Sequence, residues 1–258
     1  MKRTLIISLL ILNAITSAAI KPNRVYSITP DRLDLTYEEI RISTDDGVSI
    51  ILWHLPSEGE GIPVIISQSD AGNMSDWLYL GLYLQAYGLD IWLYDYRGFG
   101  QSDDFNIVQD QLFHTEFVKD LEAVAAYAFN STGKSPALLG ISMGTIIVNE
   151  YLRNSDIPVS KVIFDGYVAD PKAWNDKLAV NGKKVRLPKG YKSRKYRQKK
   201  HDTLFIVSEK DTYSTLADIP KAGNCNQMVK TFDCEHISGF FRYPNEYTAA
   251  IVEFLNKQ

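Results

Sequence analysis

The alternation of short apolar runs with helical periodicity constrains this chain more than any other feature. IPVIIS (62–67), LDIWLYD (89–95), PALLGI (136–141), KVIFD (161–165) and TLFIVS (203–208) are apolar over the length of a strand. Such runs suit strands covered on both faces of a parallel sheet, where neither face meets water. Three further candidate strands complete the set: LTYEEIRIST (35–44), VSIILWHL (48–55) and QMVKTFD (227–233). Asp45-Asp46-Gly47 separates the first two of these and signals a hairpin. Helical spacing fills the gaps at 75–88, 115–129, 145–152 and 244–255. In the second of these, Phe117, Leu121, Val124 and Ala128 share one face, and in the last Pro244 suits a first turn. A hairpin followed by alternating strand and helix predicts an α/β fold: an eight-stranded, mostly parallel sheet with helices on both faces. At 258 residues and 45% hydrophobic, the chain can bury one sizeable core as one domain.

The N-terminus follows a different grammar. Lys2 and Arg3 precede the apolar run TLIISLLIL, and small residues follow at Thr16-Ser17-Ala18-Ala19. This pattern predicts a signal peptide over 1–19, a mature chain starting near Ala19 or Ile20, and an exported protein, periplasmic or secreted. The apolar stretch is interrupted by Asn13 and falls short of the ~20 residues of a spanning helix.

Gly140-Ile-Ser142-Met-Gly144 matches G-x-S-x-G. Alone the match is weak, because three fixed residues recur by chance about once in ten chains of this length. Its context is more specific. PALLGI supplies a strand before it and TIIVNEYL a helix after it, as a nucleophile elbow requires. The two glycines remove Cβ atoms that a tight turn would bring into collision, and the Met143 N–H at the helix start faces a developing negative charge. A serine nucleophile needs a base. Of the two later histidines, His236 follows the last candidate strand, whereas His201 lies in a basic loop before a strand. Asp211, three residues past TLFIVS, is the favoured acid; Glu209 and Asp165 are its rivals. Its role is to orient the His236 tautomer and to stabilise the imidazolium.

These residues, with Asp95-Tyr-Arg97-Gly98-Phe-Gly100-Gln-Ser102, resemble the α/β-hydrolase family over about residues 35–258. The nearest branch is that of serine esterases, acylglycerol lipases and related peptidases. The resemblance implies hydrolysis of a carboxylic ester, thioester or amide through an acyl-enzyme on a small-molecule acyl substrate. DYRGFGQS reads as scaffold, with Arg97 bonding nearby carbonyls. After the third strand the family usually carries His-Gly, but here Gln68-Ser69 precede Asp70-Ala71-Gly72-Asn73. Transferred onto this chain, the oxyanion donors are the backbone N–H groups of Met143 and Asp70. Two costs are expected. Ser69 is strained by on the order of 1 kcal/mol if its φ is positive. The Asp70 carboxylate opposes the developing charge unless it points away or meets a cation. An unusual substrate or a weak enzyme is therefore expected; the alternative is a non-catalytic binding or scaffold protein on a degraded hydrolase fold, or a peptidase of the same fold.

Charge is uneven along the chain. The segment from Asp170 to Asp202 carries nine lysines and three arginines against three acids, within a chain of net charge −3. It falls where the family inserts a lid, so a short basic lid is expected over about 170–202. Its charge suits an anionic substrate, an anionic membrane or a cell-envelope polymer; the plainer alternative is a solvated loop balancing an acidic body. No nucleic-acid motif is present. Four scattered histidines offer no metal spacing, and DYRGFG has neither P-loop nor dinucleotide spacing, so no metal or cofactor is expected. Cys225 and Cys234 bracket the last candidate strand. Nine extended residues span roughly 30 Å, whereas a disulfide allows Cα atoms about 7 Å apart, so both cysteines are expected to be unpaired. Tyr79, Tyr83, Trp77 and Trp174 are candidates to line an acyl pocket.

Overall fold

The structure is a computed structural model that describes residues 19–180, 182, 185–192 and 201–257. Eight strands form one sheet: β1 (Glu38–Ser43), β2 (Ser49–Leu55), β3 (Pro63–Ser67), β4 (Asp90–Tyr94), β5 (Ala137–Ile141), β6 (Val162–Asp165), β7 (Thr203–Ser208) and β8 (Gln227–Phe232). Every residue of β3 to β7 is buried, as their continuous apolar runs require. The edge strands β1 and β8 alternate with exposed positions instead. The spatial order is β8-β7-β6-β5-β3-β4-β2-β1. Only β2 runs against its neighbours, antiparallel to both β1 and β4.

Helices α1 (Leu78–Gln85), α2 (Phe117–Thr132), α3 (Met143–Asn154), α4 (Pro171–Val180), α5 (Gly239–Arg242) and α6 (Pro244–Asn256) surround the sheet. Alternate side chains of each strand feed opposite cores. Ile65, Trp92, Leu138, Phe164 and Phe205 pack with Phe117, Leu121 and Ile147 of α2 and α3. Val64, Ile66, Leu139, Ile163 and Leu204 pack with Leu80, Leu84, Ile251 and Phe254 of α1 and α6. The order also places a crevice. The chain leaves β3 towards β4 on one side and returns to β5 on the other, so the carboxyl ends of β3 and β5 form a topological switch point, where open α/β sheets bind ligands. In register, Ser67 faces Gly140, so GISMG and SQSDAGN emerge side by side.

Two elements were not anticipated. Lys21–Pro22 pair in parallel with Ala71–Gly72. Two residues carry no periodicity, so no pattern announces them. Helix α4 occupies the first turns of the expected lid. Its described cations are engaged: Lys172 with Asp176, Lys177 with Asp218, and Arg186 beyond it with Asp110. Lys195, Lys199 and Lys200 lie outside the described residues, as does the apolar leader through Ala18. No described helix is long and apolar enough to cross a membrane. Cys225 and Cys234 are free, as the strand between them requires.

Arg97 corrects one expectation, for it bonds carboxylates rather than carbonyls. Its Nε lies 2.8 Å from Asp120 Oδ1, and its terminal nitrogens lie 2.8 and 3.0 Å from the Asp46 carboxylate. Asp120 also accepts the Arg97 backbone N–H at 2.9 Å. Burial pushes the Asp120 carboxyl up to about 6 even beside this guanidinium. Removing one partner of a buried pair leaves an uncompensated charge, at a cost of about 3–5 kcal/mol. Arg97→Leu is therefore expected to lower unfolding stability by about that amount in a urea titration, and Arg97→Leu with Asp120→Leu to recover part of it.

Candidate active site

The site begins with a steric constraint. A Cβ on Gly144 would collide with the Ser67 carbonyl oxygen, and one on Gly140 would stand 2.8 Å from the Gly144 oxygen. Only glycine at both positions lets the first turn of α3 lie this close to the end of β3. Between them Ser142 adopts φ 50° and ψ −111°. A non-glycine residue at positive φ is strained and persists where its surroundings over-determine it. Here the Ser142 N–H donates to the Asp165 carbonyl at 2.8 Å, and its own carbonyl accepts from Thr145 Oγ1 at 2.7 Å. Thr145 Oγ1 accepts in turn from the Val168 N–H at 3.0 Å, tying the elbow to the loop after β6.

His236 and Asp211 arrive from the loops after β8 and β7. Ser142 Oγ lies 2.8 Å from His236 Nε2, and His236 Nδ1 lies 2.5 Å from Asp211 Oδ2. The second Asp211 oxygen accepts the Tyr213 N–H at 2.8 Å, so the carboxylate is held at both ends. Ile237, next to the histidine, has φ 50°, an outlier for a β-branched residue. Gly166 has φ 63°, and a Cβ there would come within 2.6 Å of His236 Cε1. That glycine gives the ring its room. The other candidates lie elsewhere. His201 stands at the opposite end of β7, and Glu209 is exposed. Asp165 is buried behind the histidine and accepts the Tyr247 hydroxyl at 2.9 Å.

Electrostatics around the imidazole favour its charged form. Burial draws the His236 pKa down, but the hydrogen bond and charge of Asp211, joined by the charges of Asp165 and Asp70, outweigh it and hold the pKa above its ordinary value. Burial likewise pushes Asp165 up to about 6. Its Oδ1 is buried without a hydrogen-bond partner.

The SQSDAGN segment differs from what its composition suggested. Among the described residues, the non-glycine positions at positive φ are Asp34, Ser142 and Ile237. Ser69 is not one of them, so the expected strain does not arise; the left-handed turn falls on Gly72 at φ 78°. Gln68 is buried, and its Nε2 donates to Asp95 Oδ1 at 3.2 Å and to the Tyr94 carbonyl at 3.3 Å. Asp95 Oδ1 also accepts the Met74 N–H at 2.8 Å. The charge of Asp70 is one of those that favour protonated His236. Met143 opens α3, where the first N–H groups have no partner within the helix. Both expected oxyanion residues, Met143 and Asp70, line one cleft with Ser142. The cleft measures about 200 Å³ and is walled by Ile146, Val168, Trp174 and Leu178. Of the four aromatic candidates, Trp174 is in this wall, and Trp77, Tyr79 and Tyr83 are not. Among the described residues no group of three or more His, Cys, Asp or Glu converges as metal ligands would.

Two supports went unread in the sequence. Gly166 carried no signal beyond being a glycine after a strand. Tyr26, whose hydroxyl donates to Asp95 Oδ2 at 2.8 Å, sits in a segment without periodicity.

Comparison with known proteins agrees with this geometry. The family model for the α/β-hydrolase fold matches residues 62–186, from β3 through the elbow and into the basic segment. YfhR, an uncharacterized protein of Salmonella typhimurium, is 32% identical over 90% of this chain and 85% of its own. WAV2, an α/β-hydrolase domain-containing protein of Arabidopsis thaliana, is 26% identical over 55% of this chain. That match spans 46% of the plant protein, less than half its length. Among solved structures, an esterase from Pyrococcus furiosus superposes with a TM-score of 0.74 at 18% identity, covering 92% of this chain and 97% of the esterase. The strand order, the elbow and these matches together place the chain in the α/β-hydrolase family.

Proposed function

We propose that this chain is a serine hydrolase that cleaves a carboxylic ester or thioester through an acyl-enzyme. The observation that carries this reading is the relay from Ser142 Oγ through His236 to Asp211, at 2.8 and 2.5 Å, at a cleft with one apolar wall. Ser142 Oγ attacks the acyl carbonyl and its proton passes to His236 Nε2. Asp211 holds Nδ1–H and stabilises the imidazolium. The carbonyl oxygen, now negative, is met by the Met143 and Asp70 N–H groups. Collapse expels the alkoxide or thiolate, which takes the proton from His236. Water then attacks the acyl-enzyme with His236 as base, releasing the acid and restoring Ser142.

The Asp70 carboxylate acts twice in this sequence, with opposite signs. It opposes the oxyanion and supports the imidazolium, and both charges appear in the same tetrahedral step. Its support of the imidazolium works against its cost to the oxyanion. The wall of Ile146, Val168, Trp174 and Leu178 gives the acyl group an apolar surface to lie against.

Export completes the reading. Cleavage before Ala19 or Ile20 releases the domain, and the basic segment after α4 then faces anionic membrane or envelope polymer. The intact mass of the exported protein tests this, and a retained Met1 would rule cleavage out.

Two outcomes are expected at the site. An active-site fluorophosphonate labels the protein, Ser142→Ala abolishes labelling, and Asp211→Asn lowers kcat by about 10⁴. A folded wild type that never labels would instead indicate a non-catalytic binding protein. The second outcome is the pH profile. His236 must be neutral to accept the proton, and its pKa is raised. Activity therefore falls as pH drops through a midpoint above the ordinary histidine value of about 6.5. Asp165→Asn removes one of the charges that raise it, so the acid limb of kcat/KM moves to lower pH; a shift to higher pH would contradict the assignment.

A further inference from the structure

Residues 20–27 form a strap along the SQSDAGN loop, and Lys21 at its start also lines the cleft that holds Ser142. Ile20 is fully buried in the core, and its N–H and that of Ala19 both donate to the Gln109 carbonyl. From that anchor the chain runs parallel to the loop, with Lys21 opposite Ala71 and Pro22 opposite Gly72. The Lys21 N–H donates to the Asp70 carbonyl at 2.8 Å, and the Asn23 N–H to the Gly72 carbonyl at 2.8 Å. In return Asn73 Nδ2 donates to the carbonyls of Asn23 and Val25 at 3.1 and 2.8 Å. The Ser27 N–H donates to Ser75 Oγ at 3.1 Å.

The inner side of the same loop is held by one carboxylate. Asp95 Oδ1 accepts from Gln68 Nε2 at one end of the loop and from the Met74 N–H at the other. Asp95 Oδ2 accepts the Tyr26 hydroxyl, so strap and inner anchor are joined. The loop is thus fastened at its ends from inside and along its middle from outside. The middle holds Asp70, whose N–H is the second oxyanion donor in the serine-hydrolase reading.

We propose that this strap is a positioning element for catalysis: its hydrogen bonds to Asp70 and Gly72 hold the Asp70 N–H towards the oxyanion where Gln68-Ser69 replace the usual His-Gly pair. The Lys21 side chain lines the cleft, but the positioning effect is carried by the backbone of the strap. It acts through the direction of one peptide group, whose carbonyl neighbour it pins. Its effect therefore appears in kcat rather than in KM, because the oxyanion exists after binding and not before.

The proposal rests on the serine-hydrolase reading, and the experiment separates the two. Lys21→Pro removes the N–H that reaches Asp70, whereas Lys21→Ala removes the same side chain and keeps the N–H. Tyr26→Phe, which deletes only the hydroxyl on Asp95, serves if the proline variant fails to fold. Each is assayed with a short-chain p-nitrophenyl ester, and amide exchange is followed over residues 68–76. Lys21→Pro is expected to show a kcat about 10- to 100-fold below Lys21→Ala, a KM within about twofold of it, and faster exchange at Ala71 and Gly72. Equal kcat and equal exchange in the two variants would overturn the strap. A wild type inert to every ester and to fluorophosphonate overturns the hydrolase reading instead, and exchange alone then decides whether the strap holds the loop.

Discussion

The approach of α3 to β3 at Gly144 is the contact on which the site depends. A helix start can stand over the end of the neighbouring strand only if no Cβ intervenes, and here the Ser67 carbonyl fills the place where one would be. That proximity brings the Met143 N–H and the SQSDAGN loop to one cleft. It also forces Ser142 into its left-handed conformation, which lifts Oγ out of the elbow towards His236. Sheet order supplies the rest. Because β3 and β5 are neighbours while the chain between them detours through β4, their ends are adjacent without being consecutive. In the proposed reading, nucleophile and oxyanion loop come from different parts of the sequence and meet where the sheet sets the ends of β3 and β5 side by side.

Charge is the second determinant. Asp70, Asp165 and Asp211 surround one imidazole, and burial opposes its protonation. Asp211 alone touches the ring. Burial pushes the Asp165 carboxyl up to about 6, and its charge is among those that raise the His236 pKa. In the serine-hydrolase reading proposed above, the arrangement favours the imidazolium that acylation would form, at the expense of the neutral base that would begin it.

Most of the framework was legible because burial on both faces leaves a continuous apolar signature. β3 to β7 stand within a residue or two of the runs that predicted them. Helix α2 ends at Gly133 in the left-handed conformation, a stop that glycine commonly provides. Ser142, Asp211 and His236 could be read because their order and their places after strands are set by topology, and the structure brings all three together. What could not be read has no periodicity. The two-residue pairing of Lys21–Pro22 depends on a partner loop fifty residues away. The Arg97 carboxylate partners come from a hairpin turn and from α2, and no spacing rule joins them. The φ of Ser69 depended on where the loop placed its left-handed turn, and that turn went to Gly72 instead.

The change from His-Gly to Gln-Ser therefore has a different meaning in context than in sequence. Oxyanion donors are backbone groups, and a backbone group is directed by whatever holds its peptide plane. Gln68 has moved into the interior, where Asp95 and the Tyr94 carbonyl take its amide. The outer face, which a bare loop would leave to solvent, is paired to the chain that precedes β1. A loop held from two sides loses little further conformational freedom when charge develops, so under the proposed reaction its donors would be aligned beforehand. The residues that depart from the family pattern and the strap proposed to compensate for them lie about fifty positions apart. They meet only because the N-terminal segment, entering through the fully buried Ile20, crosses the switch point on its way to the sheet.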